Sequence, residues 1–158
     1  MGRLYVIQKH ATSTLHYDFR LEVDGTLKSW AVPKGPSLNP THKRLAVQVE
    51  DHDIEYADFE GQIGEGRYGA GQVIIWDKGT YEPFPLDEEL ALKSRLENGL
   101  LEFRLYGEKL KGRWRLVKIK EKKREWLLIK GVDEYASRTR DILQELPGSV
   151  VSGRVTAD

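Results

Sequence analysis

The chain has 158 residues, with 25 lysines and arginines against 25 aspartates and glutamates, and no cysteine. That length suits one domain, spanning residues 1–158, with a sizeable core. The charge balance excludes a global positive field for nucleic acid, so any basic surface is local, and the missing thiols exclude disulfides and thiolate metal sites.

Leu4 to Gln8 (LYVIQ) reads as a strand that delivers His10 just past its end. His10 to Arg20 (HATSTLHYDFR) is the stretch densest in chemistry and holds two of the four histidines. In a β-strand, residues i, i+2 and i+4 share a face. His16, Asp18 and Arg20 therefore point one way, and Tyr17, Phe19 and Leu21 the other. At about 3.3 Å per residue, the Cα atoms of His16 and Asp18 lie roughly 6.6 Å apart, close enough to reach one ion, with Arg20 about 13 Å from His16. Imidazole and carboxylate are metal ligands, whereas guanidinium is a fork for phosphate or carboxylate. The same pattern also fits the solvated face of an edge strand; His10, just upstream, favours the metal reading.

Asp24-Gly25 is a two-residue hairpin signal. A turn there sets Val23 opposite Thr26, Phe19 opposite Trp30, Tyr17 opposite Val32, Arg20 opposite Ser29 and Asp18 opposite Ala31. One register then pairs aromatic and β-branched residues on one face and leaves small residues over the charged groups on the other. Pro33-Lys34-Gly35-Pro36 is a rigid loop with Lys34 at its tip, a solvated cation or a phosphate contact. Lys43 to Glu50 alternates, with Leu45, Val47 and Val49 on one face and Arg44, Ala46, Gln48 and Glu50 on the other. Arg44 is expected to face water. Glu50-Asp51-His52-Asp53 reads as an acidic loop after that strand, with His52 an ordinary or a catalytic histidine and Tyr56 four residues on.

Gly61 to Gly71 (GQIGEGRYGAG) carries five glycines but lacks the Lys-Ser or Lys-Thr of a phosphate-binding loop, so it reads as a turn-rich loop. Gln72 to Trp76 is a strand, turned by Lys78-Gly79 towards Thr80 to Glu82. Leu86 to Asn98 is the helix candidate, with Asp87 as cap and Gly99 as stop. Leu101 to Leu105, Trp114 to Ile119 and Trp126 to Ile129 are strands, the last two joined by a solvated tip, Lys120 to Glu125. Asp141 to Leu146 suggests a short helix, and Val150 to Asp158 a loose tail. No apolar run is long enough to cross a bilayer and no signal peptide is visible, which suits the cytoplasm and no membrane. Eight or nine short strands and 15 glycines point to a mainly β fold, a compact antiparallel β-barrel with one or two short helices, whose polar mouth or lumen would hold the His16 face.

QKHATSTLHYDFRLEVDGTLKSWAVPKGPSLNPTHKRLAVQVEDHDIEYADFEG resembles the phosphoesterase domain of bacterial ligase D, a DNA end-joining enzyme, and the likeness continues through RYGAGQVIIWDKGTYEP, FRLYGEKLKGRW and WLLIK. The resemblance covers nearly the whole chain. It implies a compact β-barrel with flanking helices, acting on DNA 3′ ends. The implied activity removes a terminal ribonucleoside to leave a 3′-phosphate, then removes that phosphate to leave a 3′-hydroxyl, with manganese as cofactor. By the same resemblance His10, His16 and Asp18 are the metal ligands, Arg20 and His52 contact the scissile phosphate, and Tyr56 is a further active-site residue. Gln8, Lys34, Arg44 and Glu50 match supporting, substrate-binding positions. The implied partners are duplex primer-template 3′ ends, DNA or ending in RNA, and a ligase or polymerase of end joining. A chain of 158 residues has no room for those domains, so a free-standing or excised domain is expected. The fused domain carries an arm upstream of the first strand that serves the diesterase step. With nine residues before His10, phosphate removal is the firmer expectation.

The residues are consistent with that chemistry. Two imidazoles and a carboxylate leave open positions on an octahedral ion, which would neutralise charge on a phosphate dianion and acidify water. Such nitrogen and oxygen ligands suit manganese, cobalt or zinc. Arg20 can grip non-bridging oxygens, and His52 can donate a proton to a leaving oxygen. Two rivals remain at this stage. A non-haem iron oxygenase would use His16, Asp18 and His52, leaving His10 idle. A non-catalytic module that binds DNA ends would use the metal only structurally.

Overall fold

The Asp24-Gly25 turn forms as the alternation requires. Asp24 (φ 50°) and Gly25 (φ 82°) both lie in the left-handed region, as a type I′ turn demands. The two strands it joins, β2 (Leu15–Val23) and β3 (Thr26–Val32), pair in the expected register, Phe19 opposite Trp30 and Asp18 opposite Ala31. A computed structural model describes residues 2–63, 71–84 and 91–155. The remaining elements are β1 (Arg3–Ala11), β4 (Arg44–Asp53), a 3₁₀ turn (Ile54–Asp58), β5 (Gly61–Ile63), β6 (Gly71–Pro83), α1 (Leu92–Glu97), β7 (Leu100–Gly107), β8 (Lys111–Lys118), β9 (Glu125–Lys130) and α2 (Ile142–Glu145).

All pairings are antiparallel, in the order β1-β2-β3-β4-β9-β8-β7-β6, and β6 returns to β1 to close an eight-stranded barrel, with β5 added to the start of β6. Among the described strands, closure leaves no long free edge for aggregation. The barrel interior is apolar. Every barrel strand contributes to one cluster, including Ile7, Phe19, Trp30, Ala46, Trp76, Phe103, Trp114 and Trp126. Trp30 and Trp126 meet edge to face at 5.7 Å. The expected polar lumen is therefore not what forms. Because side chains alternate along β2, filling the lumen with Tyr17, Phe19 and Leu21 puts His16, Asp18 and Arg20 on the outside of the barrel.

Several boundaries also differ from expectation. β1 runs through His10 to Ala11, because pairing with both β2 and β6 continues to that point. Lys78-Gly79 is no turn: β6 is continuous to Pro83, and Gly79 is where a Cβ would stand 2.1 Å from the Tyr106 carbonyl oxygen of β7. The stretch Glu50 to Asp53 belongs to β4 rather than to a loop. On β4, Ala46 faces the core and Leu45 is exposed, so Arg44 is half-buried rather than in water, its Nε enclosed without a hydrogen-bond partner. The described helix begins after Ala91, whose backbone is extended (ψ 147°); the expected start, residues 86–90 with Asp87, lies outside the described residues. Most of the glycine-rich stretch, 64–70, does too. The tip at 120–124 is solvated as expected, and Asp141 caps α2 through Leu143 and Gln144 N–H. The tail is not wholly loose. Val150 packs on Val6, Leu27, Ala57 and Ile75, and its N–H donates to Ile75 O at 2.9 Å.

One buried carboxylate ties β1 to the turn between β7 and β8. Asp77 on β6 accepts from Tyr5 Oη at 2.8 Å and from the N–H groups of Glu108, Lys109 and Leu110, each at 2.9 Å. Burial pushes its carboxyl above the ordinary range, held back by those donors.

Candidate active site

The outer face of β1, β2, β3 and β4 carries the site. His10 lies directly opposite His16, and Gln8 opposite Asp18, so two strands bring five polar side chains, with Arg20, into one patch. His16 Nε2 stands 3.3 Å from Asp18 Oδ1, and His10 Nδ1 stands 3.7 Å from Asp18 Oδ2. One donor atom from each of the three lies within 4.8 Å of the others. Burial alone would raise the Asp18 pKa. Hydrogen bonds from His10 and His16 and the Arg20 charge outweigh that and hold its carboxyl well below the usual range. An ionised carboxylate and two imidazoles, without thiolates, form a donor set that fits a divalent ion of the manganese, cobalt or zinc kind.

Arg20 is buried and almost fully engaged. Its Nε donates to Gln8 Oε1 at 2.7 Å and its NH1 to Ser29 Oγ at 2.8 Å. NH1 also lies 3.2 Å from His52 Nδ1, and NH2 3.4 Å from Asp18 Oδ2. The guanidinium sits over the Tyr56 ring at 5.0 Å. Arg20 thus bridges the three-ligand cluster to His52. Gln8, fully buried, is the anchor behind it: its Nε2 donates to Tyr56 O at 2.7 Å and Phe59 O at 3.1 Å. One amide therefore aims Arg20 and ties the 3₁₀ turn to β1.

His52 reaches the site through a bulge. Ser29 pairs with Val49 and Leu27 with His52, so β4 spends one residue more than β3 over the same span. That extra residue turns His52 onto the face of Val49, where strict alternation would have pointed it with Gln48 towards the core. Its Nδ1 lies near both Arg20 NH1 and, at 3.0 Å, Glu50 O. Arg20 can only donate, and the Glu50 carbonyl only accepts, so an unprotonated Nδ1 satisfies Arg20, and a protonated Nδ1, in the Nδ1–H tautomer or the imidazolium, satisfies Glu50 O. Burial, then the Arg20 charge, lowers the His52 pKa below 6.5. Its ring meets the Tyr56 ring in a tilted contact at 4.8 Å, and burial pushes the Tyr56 hydroxyl upward in pKa.

These groups line a cavity of about 710 Å³ together with Thr12, Ser13, Ala31, Val49, Glu50 and Ile63. His10, His16, Asp18, Arg20, His52, Tyr56 and Glu50 are thus brought to one place. Lys34 and Arg44 do not line the cavity: Lys34 is exposed in the turn after β3, and Arg44 is enclosed on β4. Gln8 lies beneath the wall rather than on it. Ser29 was not anticipated as part of the site; its pairing opposite Arg20 in the hairpin register was the available signal. His52 stands outside the cluster of His10, His16 and Asp18, so the oxygenase-type set is not the one the fold assembles.

Comparison with known proteins identifies the family. The DNA ligase D 3′-phosphoesterase domain family matches residues 8–118. The chain is 57% identical over 154 residues, 95% of its length, to the multifunctional non-homologous end joining protein LigD of Pseudomonas aeruginosa. It is 43% identical over 142 residues to the protein of that name from Mycolicibacterium smegmatis, covering 87% of this chain. It is 45% identical over 117 residues, 74% of this chain, to the LigD DNA repair protein of Mycobacterium tuberculosis. The chain spans only 18%, 18% and 15% of those relatives' lengths. No described helix is long and apolar enough to cross a membrane. Through the family match over residues 8–118, the chain belongs to the DNA ligase D 3′-phosphoesterase domain family.

Proposed function

We propose that the chain is a metal-dependent phosphoesterase that heals DNA 3′ ends, removing a 3′-phosphate and a 3′-terminal ribonucleoside in non-homologous end joining. The observation that carries this is Arg20, joined at once to Asp18 of the ligand cluster and to His52 within one cavity. His10, His16 and Asp18 would hold a divalent ion, manganese first and cobalt or zinc next, which when bound supplies charge neutralisation and acidifies water. The rest is the work of the chain. Arg20, locked by Gln8 and Ser29, presents its remaining N–H to a non-bridging phosphate oxygen and stabilises charge that builds in the transition state. His52 is neutral while Arg20 alone faces it. A phosphate dianion offsets the Arg20 charge and favours the imidazolium, whose Nδ1–H donates to Glu50 O while Nε2–H serves the leaving oxygen. Water adds its hydroxyl to phosphorus and gives its proton to solvent, the ester P–O bond breaks, and the leaving oxygen takes the proton from His52, which is then reprotonated from solvent. Tyr56 holds both Arg20 and His52 in place by ring contact.

The decisive experiment is one assay. A primer-template ending in a single 3′-ribonucleotide is incubated with manganese, and the 3′-phosphate intermediate and 3′-hydroxyl product are resolved. Appearance of both in sequence, and loss of both on chelation, is the expected result. Binding of the duplex end without turnover would instead favour a non-catalytic end-binding module. Partners in this reading are duplex 3′ ends and a ligase or polymerase of the same pathway.

A further inference from the structure

The cavity is larger than a phosphate needs, and it is two-sided. Its volume of about 710 Å³ falls among sites that enclose whole organic ligands, about 300–1,000 Å³. One wall is the histidines, Asp18 and Arg20; the adjoining wall is Ala31 on β3 and Val49 on β4. The second wall has a clear origin in the sheet. Ala31 lies between Asp18 of β2 and Val47 of β4, and Ser29 lies between Arg20 and Val49. Two small residues in the middle strand hollow the sheet face beside the charged groups. Ser29 is committed to Arg20, whereas the side chains of Ala31 and Val49 have no polar atom to offer a phosphate. They nevertheless border the same space as Arg20 and His52.

We infer that the wall of Ala31 and Val49 seats the terminal nucleoside that leaves in the diester reaction, and so sets the preference for a diester over a bare 3′-phosphate. The inference rests on the phosphoesterase reading above. A diester whose phosphorus meets Arg20 carries a sugar and base beyond its O5′; a 3′-phosphate has only a non-bridging oxygen at that position, its own leaving group being O3′ of the primer. In the diester step the P–O5′ bond breaks, the hydroxyl of water joins phosphorus and O5′ takes the proton, so the nucleoside departs whole from this wall. An aliphatic wall favours burial of a planar base but has no hydrogen-bonding group to read its edge, so all four bases suit it alike.

The test uses the whole chain with manganese and three duplex ends on one primer: a terminal ribonucleoside, an abasic ribose in its place, and a 3′-phosphate. The abasic end is expected to show kcat/KM at least tenfold below the complete ribonucleoside, carried by KM, with the four bases within about threefold of one another. Val49→Trp, which fills the wall, is expected to lower the diester rate at least tenfold more than the 3′-phosphate rate. Equal kcat/KM for abasic and complete ends overturns the inference on the unaltered protein, whatever the variant does. An equal fall on both substrates in Val49→Trp also counts against it. Turnover of neither the diester nor the 3′-phosphate by the unaltered protein is the failure of the phosphoesterase reading, and the inference falls with it.

Discussion

Replacing Arg20 by lysine keeps the charge and removes the fork, so it separates the two. Arg20 engages Gln8 Oε1, Ser29 Oγ, His52 Nδ1 and Asp18 Oδ2 at 2.7, 2.8, 3.2 and 3.4 Å. A lysine ammonium sits about where the guanidinium carbon was and carries three donors against five. At best it serves three of those four partners, with nothing left for the phosphate. One buried acceptor, Gln8 Oε1 or Ser29 Oγ, then goes unsatisfied, at about 1–3 kcal/mol of stability. Losing the donor aimed at the transition-state oxygen costs about 2.7–4 kcal/mol, or 10²–10³-fold in kcat. The assay is steady-state release of phosphate from a 3′-phosphate duplex end, alongside urea unfolding. The expected pattern is a fall in kcat with a smaller change in KM, and unfolding at lower urea. An Arg20→Lys protein that keeps kcat within about threefold of the unaltered chain would refute the reasoning, because charge alone would then suffice.

His10→Ala is expected to lose manganese affinity and turnover together, whereas His52→Ala keeps the metal and loses about 10²–10⁴-fold in rate; calorimetric manganese titration with parallel kinetics checks both, and metal loss in His52→Ala alone would revive the oxygenase-type ligand set. The folded protein holds the His52 pKa below 6.5, so the unfolded chain binds more protons between the two values. The His52 contribution to stability is therefore complete above pH 6.5 and is lost as pH falls through the lowered value, and comparing urea midpoints of the unaltered chain and His52→Gln from about pH 8 to about pH 5 tests the sign. Because a bound phosphate favours the imidazolium, affinity for a 3′-phosphate end is expected to weaken as pH rises, and proton uptake on binding in two buffers of different ionisation enthalpy checks it. Asp77→Ala strands the Tyr5 hydroxyl and three N–H groups in the barrel wall, and is expected to cost about 3 kcal/mol or more in urea unfolding without altering the metal titration.

Local features of the chain alone settled the β2–β3 hairpin and the sharing of one face by His16, Asp18 and Arg20. Two residues with φ > 0 and a period of two leave a single register once one face is aromatic. The resemblance to the family supplied His10, His52 and Tyr56, which periodicity could not connect to that face. Three matters were decided only by the tertiary structure. Alternation says that β2 has two unlike faces but not which is the lumen; that choice follows from the bulk of Phe19, Trp30, Trp76, Phe103, Trp114 and Trp126, which together fill a closed barrel and expel the polar set to the outside. The aim of His52 depends on a one-residue bulge against β3, a property of the pairing and invisible in β4 by itself, which is also why the acidic end of that strand reads as a loop. Gln8 differs from an ordinary strand residue only because Arg20, Tyr56 and Phe59, 12, 48 and 51 residues distant in sequence, converge on its one amide. Such partners meet only when the barrel closes, since no local preference of the chain encodes a contact over that separation.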